Sequence, residues 1–255
     1  MLGRHTVEKW PPAQSLLYFI RGRASLKKHA LILFTRIPVP GKTKTRLQPF
    51  LDGEACCLLH QAFLLDIYDV LKKIKTDCDI LVYYTPEGHL SALQALLPDV
   101  NHFFPQQGQD LGEKMFTAIA EVLHKGYESC LLLGSDVPLL QVDAIDDAFQ
   151  LLETSDIVIC PTEDGGYYLI GMKEPCKEVF SLEMYSVETV FEKTQQSAFD
   201  IGKTCAVGLP TRDVDEPHDL LWLKESLALV QNDSNLATRE VLQKIFFEKR
   251  EEEHL

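Results

Sequence analysis

An aspartate that directly follows a predicted buried strand is the first candidate for chemistry. In "LLLGSDVPLL" the leucine run ends on Gly134 and Ser135, and Asp136 stands two positions before Pro138. A carboxylate there can hold a hard cation such as Mg2+, which prefers oxygen ligands and keeps several waters beside substrate phosphates. An aspartate that bonds its own turn is the alternative. The small residues before Asp136 leave room for a ligand, which favours a functional role.

A cluster of cations in an otherwise acidic chain is the second candidate. "TRIPVPGKTKTRLQPF" follows the first predicted strand, and Gly41 within it permits close approach of another group. Lysine supplies a point charge and arginine a planar fork for two oxygens, so the cluster suits a polyphosphate. A solvated surface loop would have the same composition, and the P-loop spacing is absent. The cations are Arg36, Lys42, Lys44 and Arg46.

Further acids follow the last predicted strand, in "DVDEPHDL" (213–220). One of these carboxylates could share a metal with Asp136 across the crevice between strand ends. Helix capping is the competing interpretation, because acids beside Pro217 at the start of a helix are ordinary. Taken alone, the segment favours capping.

Two glycine-containing segments complete the candidates. In "TEDGGYYLIG", Gly165 and Gly166 would let the backbone approach a ligand, with Asp164 as an additional acid; a plain hairpin turn explains the same residues. "GQDLGEKM" has the pattern of a capping box and is interpreted as structural. Gly112 within it costs about 1 kcal/mol in a helix, which makes sense if something lies against it.

Catalysis by a serine or cysteine nucleophile has no support. The sequence contains no Gly-x-Ser-x-Gly, and its seven cysteines show neither Cys-x-x-Cys nor zinc spacing. Reduced thiols predict a cytoplasmic protein. Five histidines have no partner at ligand spacing, and we interpret most of them as surface or helix-face residues: His60, His89, His102, His124 and His218.

The elements that must position these candidates alternate along the chain. The apolar runs "ALILF", "DILVYYT" and "CLLLG" are typical of strands buried on both faces, and helical spacing lies between them. This alternation predicts an α/β fold, a three-layer sandwich with a mostly parallel sheet. Ligands in such sheets bind beyond the carboxyl ends of the strands, where Asp136 stands.

The later segments continue the same pattern. "DIVIC", "GYYLIGM" and "TCAVGL" predict strands, and helices are predicted over "DEPHDLLWLKESLALV" and from Asn235 onward. No internal repeat or Gly/Ser-rich linker occurs, so 30–255 is predicted to be a single domain. Residues 1–29 carry six cations against one acid and are interpreted as an N-terminal appendage, with targeting as an alternative.

Charge and composition exclude several classes of function. The formal net charge of −13 argues against nucleic acid as a partner, because such binding normally needs a basic face. Hydrophobic residues at 45% and charged residues at 25% are ordinary for a globular protein. No stretch approaches the length of a membrane-spanning helix.

The five motifs, taken in order, resemble the GT-A-fold transferases, the superfamily of nucleotidyltransferases and nucleotide-sugar-dependent glycosyltransferases. Within it they are similar to the radical-SAM/selenodomain-associated transferases, which are related to molybdenum-cofactor and phospholactate guanylyltransferases. The resemblance runs from about Ala30 to about Trp222. The superfamily's Leu-Ala-Ala-Gly-Gly opening is missing, and Gln48-Pro49 stands where a lysine is usual, so the base is left open.

The resemblance implies a role for individual residues. Asp136 matches the metal-binding acid of Gly-x-Asp-x-Pro, Asp215 matches the second metal ligand, and "GKTKTRL" is what survives of the phosphate loop. The expected catalytic residues are Asp136, Lys44 and Arg46, and the expected metal ligands are Asp136 and Asp215. Nucleotide and phosphate binding is expected from Arg36, Gly41, Lys42, Lys44, Arg46, Gly112 and Ser135, and the acceptor side from Asp164, Gly165 and Gly166.

The resulting hypothesis is a transferase dependent on Mg2+ or Mn2+. It would move a nucleotidyl or sugar group from a nucleoside triphosphate or nucleotide-sugar to a small-molecule acceptor, by positioning and electrostatics rather than through a protein nucleophile. A nucleotide-binding or regulatory module of the same fold that lost turnover is the alternative. A purely structural partner protein is a third.

Overall fold

The structure is a computed structural model that describes residues 27–180, 189–229 and 236–252. Within these ranges seven strands form one sheet, in the order β3-β2-β1-β4-β6-β5-β7. The strands are β1 (His29–Thr35), β2 (Cys78–Tyr84), β3 (Phe103–Pro105), β4 (Ser129–Gly134), β5 (Ile157–Pro161), β6 (Tyr167–Met172) and β7 (Cys205–Val207). The predicted appendage lies almost wholly outside the described residues.

Helices cover both faces of this sheet. They are α1 (Gly53–Leu71), α2 (Leu90–Leu96), α3 (Leu111–His124), α4 (Val142–Thr154), α5 (Val190–Asp200), α6 (Pro217–Leu229) and α7 (Leu236–Glu252), with short 3-10 helices at Thr45–Leu47 and Lys177–Phe180. The sequence analysis did not predict α4 or α5. For α4 the helical pattern is nevertheless present, because its buried residues recur at spacings of one, three and four: Ala144, Ile145, Ala148, Phe149 and Leu152.

Strand β1 shows why the fold has three layers. Its residues alternate between two faces, so that Leu31 and Leu33 pack with the α1 and α4 side chains, whereas Ile32 and Phe34 pack with the α3 side chains. Both sets are buried. The predicted three-layer α/β fold with a mostly parallel sheet is confirmed.

Strand β6 is the exception to parallel pairing. It runs antiparallel to both β4 and β5, whereas β1 pairs in parallel with β2 and β4, and β5 with β7. Packing around it is tight, since a Cβ added at Gly171 would come within 2.2 Å of Leu131 Cδ2. Because β6 is reversed, its first residues lie at the edge where the parallel strands end. Tyr167 and Tyr168 therefore reach the edge at which ligands are expected.

The C-terminal helix α7 packs on α1 through a buried carboxylate. Asp66 accepts hydrogen bonds from the backbone N–H groups of Ala237 at 3.1 Å and Thr238 at 2.8 Å, which satisfies two donors of the first turn of α7. The helix predicted from Asn235 is thus present and docked. In the ranges that the structure describes, no helix combines the length and the apolarity needed to cross a membrane.

Candidate active site at the carboxyl edge of the sheet

A buried lysine joins the two acids that were predicted to bind metal. The ammonium of Lys44 forms an ion pair with Asp136, lies 3.3 Å from Asp215 Oδ1 and donates to the carbonyl of Val214 at 2.7 Å. Its side chain is only 4% exposed and lies over the ring of Phe63. Both carboxylates therefore face one position, and a cation occupies it.

The loop between β1 and α1 fixes Lys44 in place. Lys44 has a φ of 51°, the left-handed region that non-glycine residues rarely adopt, and it begins the 3-10 turn Thr45–Leu47. Upstream, the Thr43 hydroxyl accepts from Val39 N at 2.9 Å. A Cβ added at Gly53 would lie 2.7 Å from Gly41 N, so the first residue of α1 packs directly on the loop. The basic loop is thus held by a hydrogen bond of its own and by its packing on the start of α1.

The segment after β7 serves two purposes at once. Asp219 accepts from the backbone N–H groups of Asp215 at 3.1 Å and Glu216 at 2.8 Å, and Arg212 Nη2 donates to it at 2.8 Å. This is the capping interaction that the sequence alone favours. Asp215 instead turns toward Lys44, and Arg46 Nη1 lies 3.6 Å from Asp215 Oδ2. Capping and ion binding are therefore divided between different acids of one segment.

The charges of the site shift one another's pKa values. Burial opposes the charged form of Lys44, but Asp136 and Asp215 outweigh it and raise its pKa. Burial likewise opposes ionisation of Asp136, but Lys44 outweighs it and lowers the pKa of that carboxyl. The pKa of Asp215 is raised by burial and by the charge of Asp136. Burial, together with Asp164 and Asp215, raises the pKa of Asp213 to about 7.

Lys44, Asp136 and Asp215 line a cavity of about 580 Å³ at the ends of β1 and β4. The half beside α1 is cationic and contains Arg36, Lys42, Lys44 and Arg46. The half beside α3 carries apolar side chains, among them Phe34, Leu111, Met115 and Leu132, with Lys114 between them. A ligand with one flat apolar end and one anionic end matches both halves.

Gln106 presents a fixed acceptor to this cavity. Its Nε2 donates to Thr35 O at 2.9 Å and to Tyr83 O at 3.1 Å, and both of these oxygens can only accept. The amide orientation is therefore determined, because a flipped amide would set oxygen against oxygen. Gln106 Oε1 accepts no bond from the described residues and remains open to the cavity.

A chain of buried polar side chains forms part of the cavity lining. Thr35 Oγ1 is 3.0 Å from Ser135 Oγ and 3.2 Å from His60 Nε2, and His60 Nε2 is 3.3 Å from Arg36 O. His60 is buried, and this burial lowers its pKa to about 4. The ring is therefore neutral near neutral pH. His60 was grouped with the histidines interpreted mostly as surface or helix-face residues, and only its burial against β1 distinguishes it from them.

The structure brings some predicted residues together and separates others. Arg36, Lys42, Lys44, Arg46, Ser135, Asp136 and Asp215 line the cavity. Gly41 does not line it, but it positions the loop. Gly112 belongs to a separate surface pocket with Phe116 and Phe180. The lining also lacks Asp164, Gly165 and Gly166. Asp164 Oδ1 instead accepts hydrogen bonds within its own turn, from Thr162 Oγ1 at 2.6 Å and from Gly166 N at 2.9 Å.

The donor set between β4 and α6 is compatible with a magnesium ion. Mg2+ is usually held by one or two carboxylates, with waters and substrate phosphates completing its coordination, and Asp136 and Asp215 supply two carboxylates. Among the described residues, no group of three or more His, Cys, Asp or Glu side chains is arranged to hold a metal ion. A metal held by these two carboxylates would depend on waters or on oxygens of a ligand for the rest of its coordination.

Comparisons with known proteins agree with the fold. Residues 70–187 match the model of a family described as "Uncharacterized protein conserved in bacteria (DUF2064)". Among curated proteins none matches the chain. A protein of Desulfovibrio desulfuricans G20, assigned provisionally as a nucleotide-diphospho-sugar transferase, is 27% identical; the alignment covers 86% of this chain and 99% of that one with a TM-score of 0.77.

Two more distant structures have the same fold. The 4-diphosphocytidyl-2C-methyl-D-erythritol synthase of Anaerococcus prevotii DSM 20548 is 11% identical, with 79% of this chain and 97% of that chain covered and a TM-score of 0.52. CMP:2-keto-3-deoxy-manno-octonic acid synthetase, solved with CTP, is 10% identical, with 79% and 99% covered and a TM-score of 0.50. The chain has the fold of the nucleotide-diphospho-sugar transferases. The narrower radical-SAM/selenodomain group stays a prediction.

Proposed function

We propose that this chain is a metal-dependent transferase that moves a nucleotidyl or glycosyl group from a nucleoside triphosphate or nucleotide-sugar to a small acceptor. The proposal rests on one observation: Asp136, Asp215 and Lys44 meet at the wall of one cavity. This cavity has room for a polyphosphate, and its other cationic side chains could bind one. Its place beyond the carboxyl ends of β1 and β4 is where ligands of open α/β sheets bind.

The two halves of the cavity suit the two ends of a nucleotide. Lys42, Arg46 and Arg36 would contact the phosphates, and Ser135 would donate to a phosphate oxygen. The apolar side chains beside α3 would cover the base, and Gln106 Oε1 would accept from a ring N–H or amino group. CTP is the first nucleotide to test, since a structure of the same fold was solved with it.

Asp136 and Asp215 would hold the metal, for which Mg2+ is the first choice and Mn2+ the second. A bound divalent ion supplies charge neutralisation to the phosphate oxygens. Lys44 and Arg46 would bind and orient those oxygens and offset charge that develops on the leaving group. Asp164, Gly165 and Gly166 stay candidates for the acceptor side, where Asp164 would hold the turn that presents the two glycines.

The extent and location of the protein are also proposals. Residues 30–255 would form one transferase domain, in agreement with the docking of α7 on α1, and residues 1–29 would lie outside it. A cytoplasmic location is supported by the seven free thiols, since oxidising compartments favour disulfides.

The test is a thermal-shift panel of nucleoside triphosphates and nucleotide-sugars, with Mg2+, with Mn2+ and with a chelator. A true donor should raise Tm in a metal-dependent way, because ligand that binds the native state stabilises it. Asp136→Asn should lose this shift, whereas Asp143→Asn, a matched change on the exposed start of α4, should keep it. A panel without any shift would contradict the proposal.

Product analysis then decides the chemistry. Incubation of the stabilising donor with a panel of phosphate, alcohol and amine acceptors should release pyrophosphate if a nucleotidyl group moves, and a nucleoside diphosphate if a sugar moves. The second candidate is a binding module without turnover. It is favoured by the reduced glycine content of "GKTKTRL" and by an ammonium between the two acids. Stabilisation without product across the panel would select this second candidate.

A further inference from the structure

We propose that His60 is a positioning residue, which directs a hydrogen-bond chain through Thr35 so that the Ser135 hydroxyl is presented as a donor to an anionic oxygen in the cavity. The nature of that oxygen, a phosphate oxygen of the donor, rests on the proposed function. The direction of the chain rests only on the contacts of His60, Thr35 and Ser135.

The tautomer of His60 follows from its neighbours. His60 is 2% exposed, and its Nε2 faces both Arg36 O at 3.3 Å and Thr35 Oγ1 at 3.2 Å. A carbonyl oxygen can only accept, so Nε2 must carry the hydrogen. His60 Nδ1 is then a bare lone pair.

The remaining contacts of the ring agree with this tautomer. His60 Nδ1 is buried and has no hydrogen-bond partner among the described residues. An orphaned buried N–H is rarer in proteins than an under-satisfied acceptor, so the unpartnered nitrogen is expected to be the unprotonated one. Burial also keeps the ring neutral, with its pKa lowered to about 4. The ring therefore has a single hydrogen-bond donor, the Nε2–H group, which points toward the end of β1.

The direction continues from Thr35 to Ser135. When Thr35 Oγ1 accepts from His60, its own proton can go to Ser135 Oγ at 3.0 Å or to Arg36 O at 3.2 Å. The single Nε2–H of His60 is shared between Arg36 O and Thr35 Oγ1, and Ser135 Oγ is the nearer acceptor for the Thr35 proton. With Ser135 accepting, its proton stays available, and nothing in the described part of the chain accepts it.

The position of Ser135 gives this donor a use. Ser135 lines the cavity between Gly134 and Asp136 and is itself 5% exposed, so its hydroxyl is fixed rather than solvated. Phosphate oxygens accept hydrogen bonds but donate none. A hydroxyl that already points into the cavity loses no side-chain conformational entropy when a ligand binds. Its neutral O–H complements the charged donors of Lys42 and Arg46 in the same cavity.

The first experiment reads the tautomer directly in the ligand-free protein. With 15N-labelled histidine at pH 7.5, the His60 ring should show a protonated Nε2 and an unprotonated Nδ1 in NMR spectra, assigned by the loss of its signals in His60→Gln. A protonated Nδ1 would overturn the proposed direction, because Nε2 would then be unable to donate to Arg36 O. This readout does not depend on any enzymatic activity.

The second experiment measures binding of inorganic pyrophosphate with Mg2+ by calorimetry. Ser135→Ala and Thr35→Val should each weaken binding about tenfold, and the double variant should be no weaker than Ser135→Ala alone, since both changes break one chain. His60→Phe should match Thr35→Val. His60→Gln should restore most of the affinity, because its amide can donate to the same two acceptors. His124→Phe, an exposed histidine change on α3, should bind like the wild type.

The outcomes separate this inference from the proposed function. Wild type that binds pyrophosphate while Ser135→Ala and Thr35→Val bind it equally well would overturn the role of the chain and leave the transferase proposal standing. Wild type that binds neither pyrophosphate nor any nucleotide would overturn the proposed function and the phosphate assigned to Ser135 together. Additive losses in the double variant would show that the two hydroxyls act separately, against the inference.

Discussion

Two acidic turns at the same edge of the sheet look alike in the sequence and behave differently in the structure. Asp164 lies beside two glycines, and its carboxylate is bound by Thr162 and Gly166, each two positions away. Asp136 follows a glycine and a serine, and its carboxylate is paired with Lys44, which is distant in sequence and lies in the loop between β1 and α1. At this edge an acid bound by residues near it in sequence stabilises its own turn, whereas an acid paired with a residue distant in sequence faces the cavity.

The segment after β7 contains both kinds of acid. Asp219 bonds the backbone of residues three and four positions before it and caps α6, while Asp215 joins Lys44. If acids with distant partners bind ligands and acids with local partners only stabilise turns, changes at Lys44 and Asp136 will affect binding and activity far more than changes at Asp164.

The largest effect is expected from Lys44→Ala. Removing the ammonium leaves two partly exposed carboxylates facing each other without a cation, which should cost about 1 to 2 kcal/mol in the free energy of unfolding and lower activity by about a thousandfold. Urea unfolding and turnover of the identified donor are the measurements. The variant should also gain more Tm from Mg2+ than the wild type does, because the ion can replace the missing charge.

Lys42→Ala is the matched control, since Lys42 lines the same cavity but forms no ion pair with the two acids. It should weaken nucleotide binding without a loss of stability. If Lys44→Ala and Lys42→Ala were equally stable, the conclusion that Lys44 holds Asp136 and Asp215 together would be wrong.

The pair Asp136→Asn and Asp164→Asn tests the comparison most directly. Asn at 136 has no charge to offer Lys44 or a metal, so activity should fall by about a hundredfold or more. Asn at 164 can still accept from Thr162 and Gly166, so activity should stay within about twofold and Tm should barely change. Steady-state kinetics and thermal denaturation of both variants check this. A large loss from Asp164→Asn would instead place its carboxylate in the acceptor site.

A smaller effect is expected from Gln106→Leu. The change removes the fixed acceptor at the apolar half of the cavity, so affinity for the best nucleotide should fall about tenfold, as for one lost hydrogen bond in a dry site. Pyrophosphate binding should be unchanged, because the phosphate half is untouched. Calorimetry with the nucleotide and with pyrophosphate measures both affinities. An equal loss of affinity for the two ligands would show that Gln106 does not recognise the base.

The smallest effect concerns pH. The pKa of Asp213 is raised in the folded protein to about 7, so the native state holds this proton more tightly than the unfolded chain does. Its contribution to stability is complete below the unfolded pKa near 4 and is lost as the pH rises through about 7. Asp213→Asn has no such loss, so it should be more stable than the wild type at pH 8. The difference should be only about 1 kcal/mol, because Asp213 is partly exposed and solvent screens its charge.

Urea unfolding in chelator at pH 5 and pH 8 measures this difference. The advantage of Asp213→Asn should be greater at pH 8 than at pH 5. The reverse order would mean that Asp213 is ionised and paired in the native state.

The sequence predicted the edge of the fold where the site lies but not the contacts within it. Apolar runs identified β1, β2 and β4, and the rule that ligands bind at strand ends put Asp136 beside the basic loop. The roles of Asp215 and Asp219 could not be separated, because capping and ion binding use the same residue type and only the backbone path decides between them. Asp215 was selected by resemblance rather than by spacing.

His60 and Gln106 illustrate a different limit. Each acts through carbonyl groups at the ends of β1 or β2, and no pattern in sequence encodes a contact with a backbone oxygen 23 to 71 positions away. The direction of β6 was also not predicted, since a strand's hydrophobic pattern is the same read either way. By contrast, α4 was present in the apolar spacing and could have been found.

The close packing of Gly53 on Gly41 has a consequence for association rates. Any side chain at position 53 would push the β1–α1 loop outward, because the loop rests directly on the first residue of α1. We therefore expect the loop to keep one shape whether or not a nucleotide is bound. An incoming donor would meet a rim that is already formed, and little chain entropy would be lost on capture. The slow event would then be the parting of Lys44 from its two carboxylates, rather than the folding of a flexible flap over the ligand.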